Sequence, residues 1–263
     1  MRSALLSIAA VCCCFQEQTE AFSASFKGDI QLLIDAVVNV IIIDKDSEYP
    51  DSKAMNGTGF IIDDNGYIVT NCHVIDGAEK VKVVTVDGNE YYARIVGKDD
   101  RSDIALLKID IDPGVKLACV TFADSDSIRV CDRVIVIGNS LGLPDTITEG
   151  IISYKNRDLS TQISELGASG DLVSYIQLNA FINPGDSGGP VFDTNGRVIG
   201  MIRVFVSDGY YNMGISFAIP SNIVQKIVKQ LRLYGKIQRS RTGISVSRMS
   251  REAAEILLHS SVG

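Results

Sequence analysis

Between Gly59 and Ile219 the sequence is a train of short apolar runs, each stopped by a turn signal. That spacing constrains the fold more than any other feature. Gly59–Ile62 runs into Asp63-Asp64-Asn65-Gly66 and then Tyr67–Thr70, while Val81–Val86 runs into Asp87-Gly88 and then Tyr91–Val96. Asn-Gly and Asp-Gly accept positive φ, so each pair of runs reads as a hairpin. Ile104–Ile109 follows a charged turn, and a connecting stretch then leads from Asp112-Pro113-Gly114 to about Asp132. Runs resume at Val134–Ile137, Thr146–Ser153, Val173–Gln177, Pro190–Phe192, Arg197–Val206 and Gly214–Ile219. Two groups of about six strands, split near residues 115–130, predict an all-β protein of two packed six-stranded β-barrels. The barrels would span about 25–115 and 130–220.

Helical pattern is sparse. Asp29 to Val38 reads as a short helix leading into a strand at Val38–Ile43. At 221–234, Ile223, Val224, Ile227, Val228 and Leu231 form an apolar stripe, with Ser221 as the expected N-cap and Gly235 as the stop. Asp44 to Met55 reads as a surface loop, and Lys155 to Leu172 as a mobile one.

Chemistry concentrates in Asn183-Pro184-Gly185-Asp186-Ser187-Gly188-Gly189-Pro190. Glycines around Ser187 give the backbone conformations closed to residues with a Cβ. Such a turn can expose a hydroxyl and aim N–H groups at one point, which is what acyl transfer needs. A serine hydroxyl also needs a base. The sequence has two histidines, His259 in the tail and His73 at the end of a predicted strand, in Thr70-Asn71-Cys72-His73-Val74. His73 is the candidate. Its orienting carboxylate would come from Asp99, Asp100 or Asp103, and Asp103 is favoured because it opens the buried run Ile104-Ala105-Leu106-Leu107. Asp99 and Asp100 are expected in a solvated turn. The order His73, Asp103, Ser187 matches the chymotrypsin-like arrangement, not the orders of α/β-hydrolases or subtilisins.

At this point the chain resembles the HtrA (Deg) serine proteases, a family of exported, ATP-independent quality-control enzymes with a trypsin-like protease domain. The matching stretches are Gly57–Ile62, Thr70–Val74, Ser102–Leu107, Ile137–Leu143, Thr148–Ser153 and Phe217–Pro220. The likeness runs in order over roughly residues 30 to 235. It implies a His73/Asp103/Ser187 triad, an oxyanion hole from main-chain N–H groups of Gly185, Asp186 and Ser187, and a trimer or higher homo-oligomer. The implied function is an endopeptidase degrading unfolded polypeptides; a catalytically latent, holdase-like binding protein of the same fold is the alternative.

Two positions depart from the family. Asp186 stands where Asn is usual, which sets a carboxylate beside the site where negative charge develops. Arg157, in the stretch matching the family's regulatory loop, is the expected partner for it. Ser216 stands where Gly is usual, on a strand that pairs with substrate in the family, and is expected to narrow the specificity pocket. Phe181 sits six residues before Ser187, where trypsin-like enzymes of basic specificity carry an acid. With Ile215 and Phe217 it predicts an apolar pocket for small aliphatic side chains. The segment 236–263 looks like the start of a PDZ domain, with Arg241–Val246 as a first strand and Ser250–Leu258 as a first helix. It is too short for a complete domain of ordinary size, so either the chain continues or the stub has another use.

The remaining constraints come from charge, cysteines and the N-terminus. Net charge is −7 without a long basic run, which argues against a nucleic-acid partner. Arg2, the apolar run Ala4–Phe15 and small residues around Ala24 read as a secretory signal over 1–24. The run is too short for a stable transmembrane anchor. Lipid attachment at Cys12, Cys13 or Cys14 is a minor alternative. The protease domain would then occupy 25–235, exported to the periplasm. Beyond that signal three cysteines remain, Cys72, Cys119 and Cys131, too few for a disulfide framework; Cys119 and Cys131 are expected as buried free thiols, with a pair between them as the alternative. No Cys/His cluster has metal-ligand spacing, so no metal or cofactor is expected.

Overall fold

The computed structural model describes residues 26–43, 56–159, 173–207 and 212–239. The signal-like segment 1–24, the loop 44–55, most of the stretch 155–172, the tail His259 and the PDZ-like residues from 240 onward lie outside them.

Six strands close the first barrel: β1 (Val37–Ile43), β2 (Asn56–Ile61), β3 (Tyr67–Thr70), β4 (Lys80–Thr85), β5 (Glu90–Asp99) and β6 (Ile104–Ile109), in the order β1-β2-β3-β6-β5-β4. Antiparallel pairing of β1 with β4, Val38 opposite Thr85 and Ile43 opposite Lys80, closes the ring. In the second unit β8 (Arg133–Ser140), β9 (Leu143–Arg157), β10 (Tyr175–Leu178), β13 (Asn212–Pro220), β12 (Arg197–Ser207) and β11 (Pro190–Phe192) follow one another. Pairing of β11 with both β12 and β8 closes this ring too. A two-residue strand in the connecting stretch, β7 (Thr121–Phe122), adds in parallel to β12.

The burial pattern explains why these runs form barrels. In β4 inward and outward residues alternate, as a strand with one buried face requires. β6 is buried almost throughout because both its faces are used. Ala105, Leu107 and Ile109 point into the first barrel's core, whereas Ile104 and Leu106 join the cluster shared by both barrels. That shared cluster also takes Phe60, Tyr175, Phe192, Val198 and Phe217. Each fully buried Leu or Ile contributes about 2 kcal/mol from leaving water.

Two helices complete the fold. α1 (Ile30–Asp35) is capped by the Asp29 carboxylate, which accepts from Gln31 N–H at 3.1 Å. α2 (Ser221–Tyr234) lays Val224, Ile227, Val228 and Leu231 on the shared cluster and ends at Gly235 in the left-handed region, φ 68°. The expected cap Ser221 is instead the first helical residue. Pro220 occupies the cap position without a side-chain bond, and the buried Ser221 hydroxyl donates to Ala123 O at 2.6 Å.

Other expectations need correction. β9 continues to Arg157, because Tyr175 of β10 pairs there and Lys155 is held by the Asp126 and Ile128 carbonyls. Cys119 and Cys131 are free but exposed; Cys131 sits at φ 72° in a turn that keeps it out of the core. Among the described cysteines Cys72 is the buried one.

Candidate active site

β3 delivers His73 and the β5–β6 turn delivers Asp103, so both stand at one edge of the first barrel. Asp103 is 5% exposed and takes a left-handed conformation, φ 55°, which aspartate tolerates better than most residues. Three bonds fix it. Asn71 Nδ2 donates to its carbonyl at 2.9 Å, the His73 main-chain N–H donates to Oδ1 at 3.0 Å, and His73 Nδ1 lies 2.7 Å from Oδ2. A carboxylate only accepts, so His73 carries its proton on Nδ1 and leaves Nε2 as an acceptor. Next to it the Cys72 thiol, bonded to Ile104 O at 3.1 Å, is pushed up to about 12 by burial and then by the Asp103 charge. It stays neutral and is no competing nucleophile.

Asp99 is not in solvent, contrary to the sequence expectation. It is 6% exposed, accepts from the Ser102 N–H and hydroxyl, and is clamped by both terminal nitrogens of Arg239. Burial alone would raise its carboxyl, but Arg239 and Ser102 outweigh that and hold it below the ordinary carboxylate value. Asp100 is the exposed member of the turn.

Ser187 comes from the second barrel, on a loop bent by Gly185 at φ 103° and Gly188 at φ 86°. Thr58 of β2 stitches that loop to the first barrel. Its N–H donates to Ser187 O at 2.9 Å, and its hydroxyl donates to Gly185 O at 2.6 Å and accepts from Asn139 N–H at 2.9 Å. The Ser187 hydroxyl donates to Arg203 O at 3.3 Å and makes no hydrogen bond to His73. Among the described residues the main-chain N–H groups of Gly185 and Ser187 are not spent on other backbone groups. The Asp186 N–H is; it donates to Asn183 O at 3.1 Å, which removes it from the expected set of three donors.

The Asp186 carboxylate turns away from Ser187 into the protein, 2% exposed, and accepts from Ser140 Oγ at 2.6 Å and Asn183 N–H at 2.8 Å. Arg157 is not its partner. That guanidinium stacks on Tyr154, 3.9 Å from the ring centroid, and donates to Gln177 Oε1 at 3.1 Å. Among the described residues no cation pairs with it; burial raises the Asp186 carboxyl above its ordinary value, and the Ser140 and Asn183 bonds offset only part of this. A raised folded-state value means the native protein binds the proton more tightly than the unfolded chain. Stability from this group is therefore present below the unfolded value and lost as pH rises through the raised one. Asp186→Asn is expected to raise the melting temperature by about 3 °C at pH 7 and to give no gain near pH 3. Melting curves at the two pH values check this, and an equal gain at both would refute it.

Of the expected pocket residues, Phe181 is exposed, Ile215 is partly buried and Phe217 is packed into the shared cluster. Ser216 is fully buried, opposite Leu178, with its hydroxyl donating to Ala180 O at 3.1 Å. Sequence reading missed Thr58 as a stitch and Arg203 as a neighbour of the acid. Arg203 lies on β12 with a 10% exposed side chain, its Nε 3.4 Å from Asp103 Oδ2. One signal was available: a charge inside the apolar run Val198–Val206 is buried only with a partner. Among the described residues no cluster of His, Cys, Asp and Glu could hold a metal, and no helix is long and apolar enough to cross a membrane.

A family profile described as "Trypsin-like peptidase domain" matches residues 57–201. A protein of Rickettsia prowazekii named "Probable periplasmic serine endoprotease DegP-like" is 43% identical over 202 residues, 76% of this chain and 38% of its own length. One of the same name from Rickettsia conorii is 36% identical over 273 residues, 90% of this chain and 52% of its own. The chain thus spans 38% and 52% of these two curated relatives. Among solved structures, HtrA-type protease AlgW with a tripeptide superposes with a TM-score of 0.74 at 32% identity, covering 87% of this chain and 72% of that one. The decapeptide complex of AlgW gives 0.71 at 31%, covering 87% and 75%.

Proposed function

The chain belongs to the HtrA-type family of trypsin-like serine proteases, and from that premise we propose that it is a serine endopeptidase of unfolded polypeptides. The observation that carries this reading is the His73–Asp103 pair at 2.7 Å, on the barrel whose Thr58 holds the Ser187 loop. In the reaction the Ser187 hydroxyl leaves the Arg203 carbonyl, gives its proton to His73 Nε2 and attacks the peptide carbonyl. His73 then protonates the leaving amine, and Asp103 keeps the imidazole in the tautomer that makes both transfers possible. The N–H groups of Gly185 and Ser187 receive the oxyanion. No cofactor takes part. Phe181, Ile215, Ser216 and Phe217 shape an apolar pocket, and the buried Ser216 shortens it, so cleavage follows small aliphatic residues.

Place and partners follow the family. The relatives are named periplasmic, and the signal-like segment at 1–24 suits export to that compartment, where unfolded polypeptides are the substrate. The protease domain covers 25–235, works as a homo-oligomer, and is followed by the PDZ-like segment 236–263. A latent, holdase-like form is the second reading, favoured by the Ser187 hydroxyl resting on Arg203 O.

A fluorophosphonate probe, with labelled peptides resolved by mass, tests the proposal together with casein digestion. The expected result is a single adduct on the peptide carrying Ser187, with casein cut after Val, Ala or Ile. Absence of both the adduct and casein cleavage, with casein aggregation still suppressed, would establish the latent reading. Cleavage after Lys or Arg would overturn the pocket assignment.

A further inference from the structure

We propose that Ser140 is a positioning residue: it holds the loop before Ser187 in the shape that presents the two free N–H donors. The inference rests on the serine-peptidase reading of the same site. A trans peptide points its C=O and N–H in opposite directions, so anchoring the carbonyl aims the amide. Both donors are aimed in this way. The Pro184 carbonyl accepts from the Leu141 N–H at 2.7 Å, which turns the Gly185 N–H away from Leu141. The Asp186 carbonyl accepts from the Gly189 N–H at 2.9 Å, which turns the Ser187 N–H away from Gly189.

Three successive residues at the end of β8 grip this loop. The Asn139 N–H donates to Thr58 Oγ1, which in turn bonds Gly185 O. Ser140 Oγ donates to Asp186 Oδ2 at 2.6 Å, and the Leu141 N–H holds Pro184 O. The first and third contacts use main-chain groups that any residue but proline supplies. Ser140 supplies the one side chain of the three, and its target is the group that closes the turn. Asp186 Oδ2 also accepts from the Asn183 N–H at 2.8 Å, while the Asp186 N–H donates back to Asn183 O at 3.1 Å. Ser140 therefore fixes an already closed turn, 183–186, to the barrel wall. The second carboxylate oxygen lies against Gly138, where a Cβ would stand 2.5 Å from Oδ1. Ser140 and Asp186 are both buried, so losing their bond leaves an acceptor short of a donor where water has little access. Leu141 is meanwhile held in the left-handed region, φ 54°, which leucine adopts only when its surroundings impose it. Without the Ser140 bond that strand end relaxes, the Leu141 N–H leaves Pro184 O, and the Gly185 donor loses its aim.

The test uses the fluorophosphonate probe, whose phosphoryl oxygen takes the place of the oxyanion. Labelling over a range of probe concentrations separates the maximal rate from the half-saturating concentration. Removing one oxyanion donor outright costs about 10²–10³-fold, and mis-aiming it costs less, so Ser140→Ala is expected to lower the maximal rate about 10–100-fold. The half-saturating concentration stays within about threefold, because the pocket is untouched. Asp186→Ala already lacks the acceptor, so adding Ser140→Ala to it changes the rate by less than about twofold. Amide exchange followed by NMR gives an independent reading. The Asn183 and Leu141 amides are expected to exchange faster in Ser140→Ala, while those of β6 keep wild-type protection. Ser140→Cys, which keeps the volume with only a weak donor, replaces the alanine variant if that shows no cooperative melt. A folded variant labelling at the wild-type maximal rate overturns the proposal. So does an equal further loss in the Asp186→Ala background, or faster exchange spread evenly over the protein. A wild type that does not label at all refutes the peptidase reading instead, and exchange at Asn183 and Leu141 still decides what Ser140 holds.

Discussion

Asp103→Asn is expected to lower casein hydrolysis about 10⁴-fold while leaving the protein folded, the size of loss this exchange causes at a triad aspartate. The reason lies in the count of acceptors. Asp103 answers two donors at once, the His73 main-chain N–H on Oδ1 and the Nδ1 proton on Oδ2. Asparagine offers one oxygen and one NH₂ group. If its oxygen stays on the main-chain N–H, the NH₂ faces Nδ1, the imidazole must move its proton to Nε2, and the base is lost. If it flips, two donors confront each other at the main chain. Either arrangement disables His73. The backbone does not object, because the left-handed conformation at 103, φ 55°, suits asparagine as well as aspartate. Steady-state hydrolysis together with circular dichroism checks the prediction, and a folded variant keeping a tenth of the activity would remove Asp103 from the mechanism.

Gly188→Ala is expected to cost about 3 kcal/mol of stability or more and to cut fluorophosphonate labelling at least 100-fold. Two separate penalties meet at this position. The backbone sits at φ 86°, which a Cβ disfavours by roughly 1–2 kcal/mol. A methyl added there would stand 2.1 Å from Thr58 O and 2.5 Å from Thr70 Oγ1. Both are parts of the first barrel's framework, and the Thr70 hydroxyl already donates to Thr58 O at 2.7 Å. Relief therefore requires the Ser187 loop to back away from the barrel that carries its base. Denaturant melts and labelling rates measure the two effects, and a variant that labels at the wild-type rate would show that the close approach is not needed.

The sequence showed β3, β6 and β11 with their observed ends, because each lies between turn residues or charges that cannot continue a strand. It lost β7, whose two residues are too few to show any period, and it stopped β9 early at Lys155-Asn156-Arg157. Those three side chains look like a loop, yet partners distant in sequence, the Asp126 and Ile128 carbonyls and the strand at Tyr175, make them a strand edge. Pairing across barrels was equally hidden. His73, Asp103 and Ser187 could be named from residue type and local context. The neighbours of Asp186 could not, since Ser140 and Arg157 look equally available until the chain is folded and only geometry gives the place to Ser140. Composition also misplaced Cys131, because a turn at positive φ outweighs the general preference of cysteine for the interior.

The Thr58–Gly185 bond joins residues 127 positions apart. At a synthesis rate of roughly 5–20 residues per second, about 6–25 s pass between the appearance of the two ends. In the later part of that interval, once residue 103 is made, the nascent chain contains His73 and Asp103 but not Ser187 or the loop that shapes it. On the proposed peptidase reading a half-made molecule therefore lacks its nucleophile, and the candidate site is assembled only as the second barrel docks.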